Sequence, residues 1–347
     1  MDAVENKTDT ASMKSSVRWG IIGLGVGQHH LAALLQDQIC AQIRIWDKDP
    51  LRLEQVSRAY PAAIACHSEE EIIGAPDVQG VSICSFDDAH FRQVIDCMNA
   101  GQHIFVEKPI CLRCEELIVI RKMFSQRRQV RLSMNMVLRT NGRFSEIRRN
   151  IRNGELGEVF SIEADYLWGR VEKLSGWRSQ IDGYSLVLGA GIHVVDLLLW
   201  LTGELPVEVK AMGNDIGNDG NGSDCASFVC ALLRFPSGLV GKVTANGRAV
   251  HPHFHSLRVF GTKKTAWHSM SESVWISSKN YAAQTKAIDG DYPDHANKKY
   301  VIQSFLSDLT GDNKAVVSEN DIFETMSVCF AIDKALETGG TVSVEYY

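Results

Sequence analysis

Residues 17–30, VRWGIIGLGVGQHH, place an apolar run directly before three glycines, Gly23, Gly25 and Gly27, at alternate positions. Leucines at helical spacing follow (Leu31, Leu34, Leu35), so the stretch reads as strand, turn, helix. In such a unit Gly23 permits the tight turn and Gly25 a close approach of pyrophosphate. The helix that starts near Gly27 offers its free N–H groups and dipole to the phosphates. The spacing departs from GxGxxG, because position 28 is Gln and the third glycine comes one residue early. Taken alone, the loop leaves two readings open: a dinucleotide site, or a structural glycine turn.

The sequence around the loop extends the pattern. Gln42–Asp47 alternates Ile43 and Ile45 with polar neighbours, and Asp49-Pro50 supplies an N-cap with proline in the first helical position. The run AAIAC (62–66) precedes Ser68-Glu69-Glu70-Glu71, which has the form of a capping box and predicts another helix. GVSICS (80–85) leads to a helix with the apolar face Phe91, Val94, Ile95, Met98, stopped by Gly101. HIFVE (103–107) and QVRLSM (129–134) complete six strands. Strands alternating with helices imply right-handed crossovers and a doubly wound parallel sheet whose ligand crevice lies at the carboxyl ends of the strands. Asp47 ends the second strand 22 residues after Gly25. A carboxylate there accepts hydrogen bonds from an adenosine ribose and repels a 2′-phosphate, which favours NAD, while Lys48 beside it leaves NADP possible.

With 347 residues and 45% hydrophobic content the chain has room for two domains. The division expected is a flexible tail at 1–16, a dinucleotide-binding domain at 17–136 and a substrate-binding and oligomerisation domain at 137–347. A net charge of −6 argues against general nucleic-acid binding. No apolar run reaches the roughly 20 residues of a membrane helix, and the first 16 residues lack the core of a secretory signal. Nine scattered cysteines suit a reducing cytoplasm. The lone CxxC of Cys111 and Cys114 has no second pair to close a zinc site, and no metal is expected.

At HIFVEKPI (103–110) the sequence resembles the glucose-fructose oxidoreductase and inositol dehydrogenase (Gfo/Idh/MocA) family. SFDDAH (85–90), NGELGEV (153–159) and GAGIHVVDLLLWLTG (189–203) extend the similarity over most of the chain. The resemblance implies an α/β protein, with an N-terminal Rossmann domain and a C-terminal α+β domain on an open, mostly antiparallel sheet, assembled as a homodimer or homotetramer. The later sequence reads compatibly. VFSIEADY (159–166) alternates like a half-buried strand, CASFVCALLRF (225–235) and GLVGKVTAN (238–246) form a hairpin around Pro236–Gly238, HSLRVFG and SVWISS are further strands, and 213–224 is a loop by composition.

By the same resemblance Lys108 is catalytic, polarising a substrate oxygen, and His193 accepts the hydroxyl proton. Glu107 is expected to hold Lys108 in place. Cofactor contacts are expected from Gly23, Gly25, Gly27, Asp47, Ser85, His90, Glu107 and Lys108, with a structural role for His90 equally open. Substrate contacts are expected from Lys108, Arg178, His193 and Asp196. Arg178 either meets an anionic group or pairs with a surface acid, and Asp196 either supports His193 or forms a salt bridge nearby. Asn135 and Arg139 either face the cleft or pack the domain junction. The family carries an aspartate four residues before the histidine, where this chain has Gly189, so another group or the substrate itself must fill that space. An aspartate restored at 189 is expected to raise the histidine pKa. His251, His253 and His255 share one face of an extended segment, which makes a metal site conceivable. The function implied is NAD(P)-dependent hydride transfer at a secondary hydroxyl of a sugar, cyclitol or nucleotide-sugar. Two rivals are a redox-assisted glycoside hydrolase or epimerase and a non-catalytic nucleotide-sensing partner.

Overall fold

Short, mostly buried strands need cover on both faces, and four of the first six obtain it in a parallel sheet whose remaining two strands form one more exposed edge. A computed structural model describes residues 17–36, 40–174, 176–217, 225–279 and 282–347; the expected tail at 1–16 and most of the 213–224 loop lie outside the described residues. The strands are β1 Val17–Ile22, β2 Cys40–Trp46, β3 Ile64–Ala65, β4 Gly80–Ile83, β5 His103–Val106 and β6 Leu132–Met134. They stand in the order β3-β2-β1-β4-β5-β6, and every pair in that sheet is parallel. Helices α1 Gly27–Gln36, α2 Pro50–Ala59, α3 His90–Asn99 and α4 Cys114–Ser125 make or flank the crossovers. Chain order reverses between β1 and β4, which opens a crevice at their carboxyl ends.

Local chemistry accounts for most of these boundaries. The Asp49 side chain accepts the Leu51 and Arg52 N–H groups at 3.0 and 3.4 Å, as an N-cap should. Gly101, at φ +73°, closes the chain after α3. The helix expected after Ser68 does not form. Glu69–Glu71 is a single 3₁₀ turn and the Ser68 side chain makes no cap bond. Gly74 at φ +80° and Pro76 break the chain within one further turn, leaving no length for a helix.

The second sheet contains β7 Val159–Leu167, β8 Glu208–Asn214, β9 Phe228–Arg234, β10 Val240–Asn246, β11 Phe254–Gly261, β12 Thr265–His268, β13 Ser273–Lys279, β14 Ala282–Ala287 and β15 Thr341–Ser343. Its order is β14-β13-β12-β11-β7-β10-β9-β8-β15, antiparallel except where β10 runs parallel to β7. Helices α5 Gly142–Arg152, α6 Ile192–Thr202 and α8 Glu319–Thr338 complete this half, and α7 Tyr300–Leu309 returns to the first sheet. There Phe305 meets Trp19 edge-on with centroids 6.2 Å apart. Ser133 of β6 donates to the Val317 carbonyl at 3.0 Å, a second tie between the two halves. Among the described residues no helix is long and apolar enough to cross a membrane.

Candidate active site

The carboxyl ends of β1, β2, β4 and β5 face the segments that follow β7 and precede α6 and α7, across a cleft of about 1620 Å³. On the first-sheet side, Gly23 sits at φ +86°, and a Cβ there would lie 2.5 Å from the Cys84 carbonyl oxygen. Only glycine fits this turn. A Cβ on Gly25 would meet nothing nearer than an Arg52 guanidinium nitrogen at 4.0 Å, so the loop is open above that residue. Both line the cleft, as do Asp47, Ser85, Glu107 and Lys108. Gly27 lies beneath instead: its Cβ would press on Ile21 at 2.9 Å, so this glycine packs α1 against β1. Asp47 is 6% exposed and accepts the Leu24 N–H at 2.6 Å and the Asp49 N–H at 2.8 Å. The carboxylate therefore fixes the glycine loop and also borders the cleft. An open loop over Gly25, a helix N-terminus and a strand-end carboxylate fit the phosphates and ribose of a dinucleotide.

Glu107 does not hold Lys108, which corrects the expectation above. Its Oε1 receives Asn135 Nδ2 at 2.6 Å and faces His30 Nε2 at 3.1 Å. Burial alone would raise this carboxyl, but the hydrogen bond and charge of His30 bring it below the usual range. Lys108 instead donates to the Gly189 carbonyl at 2.8 Å. Gly189 belongs to a π-helical turn, Val187–Gly191, that runs directly into α6. Such turns leave carbonyls available outside the regular ladder and recur at functional sites. Burial holds the Lys108 ammonium below the ordinary lysine pKa, with Asp87 opposing that shift.

The space beside Gly189 is filled by the protein itself. A Cβ at 189 would lie 1.8 Å from the Tyr184 hydroxyl oxygen, and that hydroxyl accepts Arg178 Nε at 3.0 Å. Tyr184 is buried. An aspartate at 189 would thus meet Tyr184 before it could address His193, so the expected rise in the histidine pKa does not follow from this geometry. Nothing in residues 184–189 as a string signals that exchange of positions.

His193 is stacked on Tyr166 (centroids 5.9 Å, 10° between planes) and meets His255 edge-on at 6.1 Å. Its Nδ1 is buried without a hydrogen-bond partner. Burial, then the charge of Lys108, hold its pKa well below the ordinary histidine value, so the imidazole is neutral and free to take a proton. His255 accepts from the Tyr292 hydroxyl at Nδ1 (2.5 Å), while its own backbone N–H donates to that oxygen at 2.9 Å. Of the three period-two histidines, His253 and His255 line the cleft and His251 does not. Among the described residues no three His, Cys, Asp or Glu side chains are placed to hold a metal ion.

Two further expectations are corrected. Asp196 is 1% exposed and faces away from the cleft; Arg139 grips both its oxygens, with Nη2 at 2.7 Å from Oδ1, and Thr325 adds a hydroxyl at 3.3 Å. This pair, extended by Asp321 at 3.0 Å from Arg139, joins α6 to α8. Neither Asp196 nor Arg139 can reach substrate. His90 is fully buried, its ring nitrogens 2.7 Å from the Pro109 carbonyl and 3.2 Å from that of Ser85, so it braces the two loops that present Ser85 and Lys108. Arg178, by contrast, reaches the cleft, lying 4.1 Å over the Trp177 ring. Trp177 in turn stacks on Phe86 at 4.3 Å, which joins the two walls of the cleft by an aromatic contact no local pattern announced.

Comparison with known proteins agrees with this geometry. Residues 17–136 match the oxidoreductase family with an NAD-binding Rossmann fold, and residues 144–267 match the GFO/IDH/MocA C-terminal domain. The myo-inositol 2-dehydrogenase of Thermotoga maritima is 24% identical over 95% of this chain and 99% of its own. An uncharacterized oxidoreductase of Synechocystis is 30% identical over 53% of this chain and half of its own length. Among solved structures, levoglucosan dehydrogenase in complex with NADH and levoglucosan has a TM-score of 0.83 at 20% identity, covering 95% of this chain and 99% of that one. The myo-inositol 2-dehydrogenase of Lactobacillus plantarum has a TM-score of 0.81 at 17% identity, covering 95% and 100%. With both of its domains matched and the cleft built between them, the chain belongs to the Gfo/Idh/MocA family of NAD-binding oxidoreductases.

Proposed function

We propose that this oxidoreductase acts on a secondary hydroxyl of a sugar, cyclitol or nucleotide-sugar, or on the matching ketone. The observation that carries the reading is the meeting of a buried ammonium, Lys108, with an imidazole kept neutral, His193, in one cleft. Nicotinamide, when bound, supplies the hydride chemistry. The protein's own share is acid–base: Lys108 donates to the substrate oxygen as negative charge develops, and His193 takes the hydroxyl proton. Relatives named for inositol and 1,5-anhydro-D-fructose support a polyhydroxylated substrate. The test is a panel of sugars, cyclitols and nucleotide-sugars, with the matching ketones, assayed with NAD(H) and NADP(H). Formation or consumption of NADH with one class supports the reading. Cofactor binding without net redox turnover on any member, in either direction, counts against it.

Asp47 sets the cofactor preference in this proposal, because a carboxylate repels a 2′-phosphate placed beside it. Asp47→Asn keeps an acceptor for the Leu24 N–H and removes the charge. Its ratio of Kd for NADPH over NADH should fall by about tenfold or more, a Coulombic effect of the size expected near a protein surface. Fluorescence titration reads this directly, and an unchanged ratio would remove Asp47 from cofactor selection.

We further infer a homodimer or homotetramer in the cytoplasm. Phe160 and Leu232, on strands β7 and β9, are 55% and 50% exposed, and Val240 of β10 and Met212 of β8 are exposed as well, which leaves apolar sheet surface for a second copy. All nine cysteines are free, which supports a reducing compartment. Light scattering should return the mass of two or four chains, and Leu232→Glu should lower it; a wild-type monomer overturns the assembly.

A further inference from the structure

The substrate half of the cleft holds more positive charge than Lys108 alone accounts for. Arg170 and Lys173 follow β7, Arg178 precedes the π turn, and Lys298 lies in the turn before α7; all four line the cleft. They sense one another. Burial, then the charges of Arg170, Arg178 and Lys108, depress the Lys173 pKa, and burial followed by Arg170 depresses that of Lys298. Among the described residues none of the four has a carboxylate within ion-pairing distance, in contrast to Arg139 or Arg258 on other faces of the same domain. Arg170 Nε is buried with no hydrogen-bond partner at all.

Among the described residues the acids that share the cleft form no ion pair with these four cations. Glu107 is held by His30 and Asn135, and Asp294 accepts from the Asn297 backbone at 3.2 Å and side chain at 2.5 Å. Asp87 bears on Lys108, and Glu172 lines the cleft beside Lys173 and opposes the depression of its pKa without pairing with it. Cations gathered in a part-buried cleft without ion-pair partners are costly unless something anionic occupies the space between them. Guanidinium and ammonium groups are the side chains suited to carboxylate and phosphate.

We propose that the substrate carries an anionic group, a carboxylate or a phosphate, received by Arg170, Lys173, Arg178 and Lys298 while its secondary hydroxyl lies at Lys108 and His193. This inference rests on the oxidoreductase reading above and narrows its substrate class to acidic polyols. The glycine loop at the end of β1 accommodates the phosphates of the cofactor, so the four cations of the opposite wall remain for substrate.

The test uses NADH-saturated protein, which accounts for the cofactor's own phosphates. Calorimetric titration with glucose, glucuronate and glucose 6-phosphate, at constant ionic strength, gives the three affinities. At least one of the two anionic sugars should bind about tenfold or more tightly than glucose, the carboxylate and phosphate arms showing which anion is preferred. That advantage should collapse in Arg170→Gln and in Lys298→Gln, while NADH affinity stays within about threefold. Equal or absent binding of all three sugars, or an anion preference that both variants retain, overturns the proposal. The two readings fail separately. Turnover of neutral sugars without anion preference removes only the acidic-substrate inference, whereas anion binding without redox turnover of any sugar removes only the oxidoreductase reading.

Discussion

Lys108→Met should lower kcat/KM on the best substrate of the panel by about 10²- to 10³-fold, the loss found when one preorganised donor to a developing oxyanion is removed. Methionine preserves most of the side chain's length and apolar body, so the change isolates the ammonium. That group sits in a buried site just past β5, anchored on the Gly189 carbonyl at 2.8 Å, where water competes little for its charge. In the proposed binding mode the glycine loop and Asp47 receive the cofactor's phosphates and ribose, so NADH affinity should change by less than about threefold. A drop in kcat/KM with NADH binding preserved assigns the ammonium to the reacting oxygen. A variant that keeps most of its turnover would leave Lys108 as a structural prop for the π turn.

How far the sequence alone reaches can be judged residue by residue. The glycine loop, Asp47 and the Asp49 cap are legible because the interactions that fix them are local or follow from strand order, and strand order is itself written in the alternation of apolar runs. Asp196 shows where such reading stops. Three positions from His193 on a helix, it looks like a neighbour of the base, yet its partner Arg139 lies 57 residues away and draws it to the buried side of α6. Helical spacing gives an angle between two side chains without saying which of them faces the cleft. The Ser68 box failed for a related reason: a capping signature carries no information about whether the next turns can continue. Tyr184 is not legible because it lies in the irregular segment just ahead of the π turn Val187–Gly191, where periodicity sets no register between it and Gly189. Three of the four cations of the substrate wall share the connection between β7 and the π turn, but Lys298 lies 120 residues beyond Arg178, so only the fold completes the group.

His193→Asn should reduce kcat/KM by about 10²- to 10⁴-fold, the range for a positioned general base, because asparagine retains size and hydrogen bonding but accepts no proton near neutral pH. The pH profile is the sharper readout. An unperturbed histidine base would give an activity limb at about pH 6.5, and the structure moves it. Burial and then the Lys108 charge both disfavour the imidazolium, so the folded-state pKa falls well below 6.5. The neutral, competent base therefore persists as pH falls through 6.5. Wild-type kcat/KM should stay level across that region and decline only at distinctly lower pH, as long as the fold persists. In Lys108→Met one of the two main causes of the depression is gone, so the limb should move upward, though not to 6.5 while burial remains. His193→Asn should abolish the limb in either background. If the asparagine variant instead keeps both its rate and its acid limb, the base is another group, and the buried Tyr166 stacked against His193, its own pKa pushed up to about 12 by burial, becomes the next residue to replace.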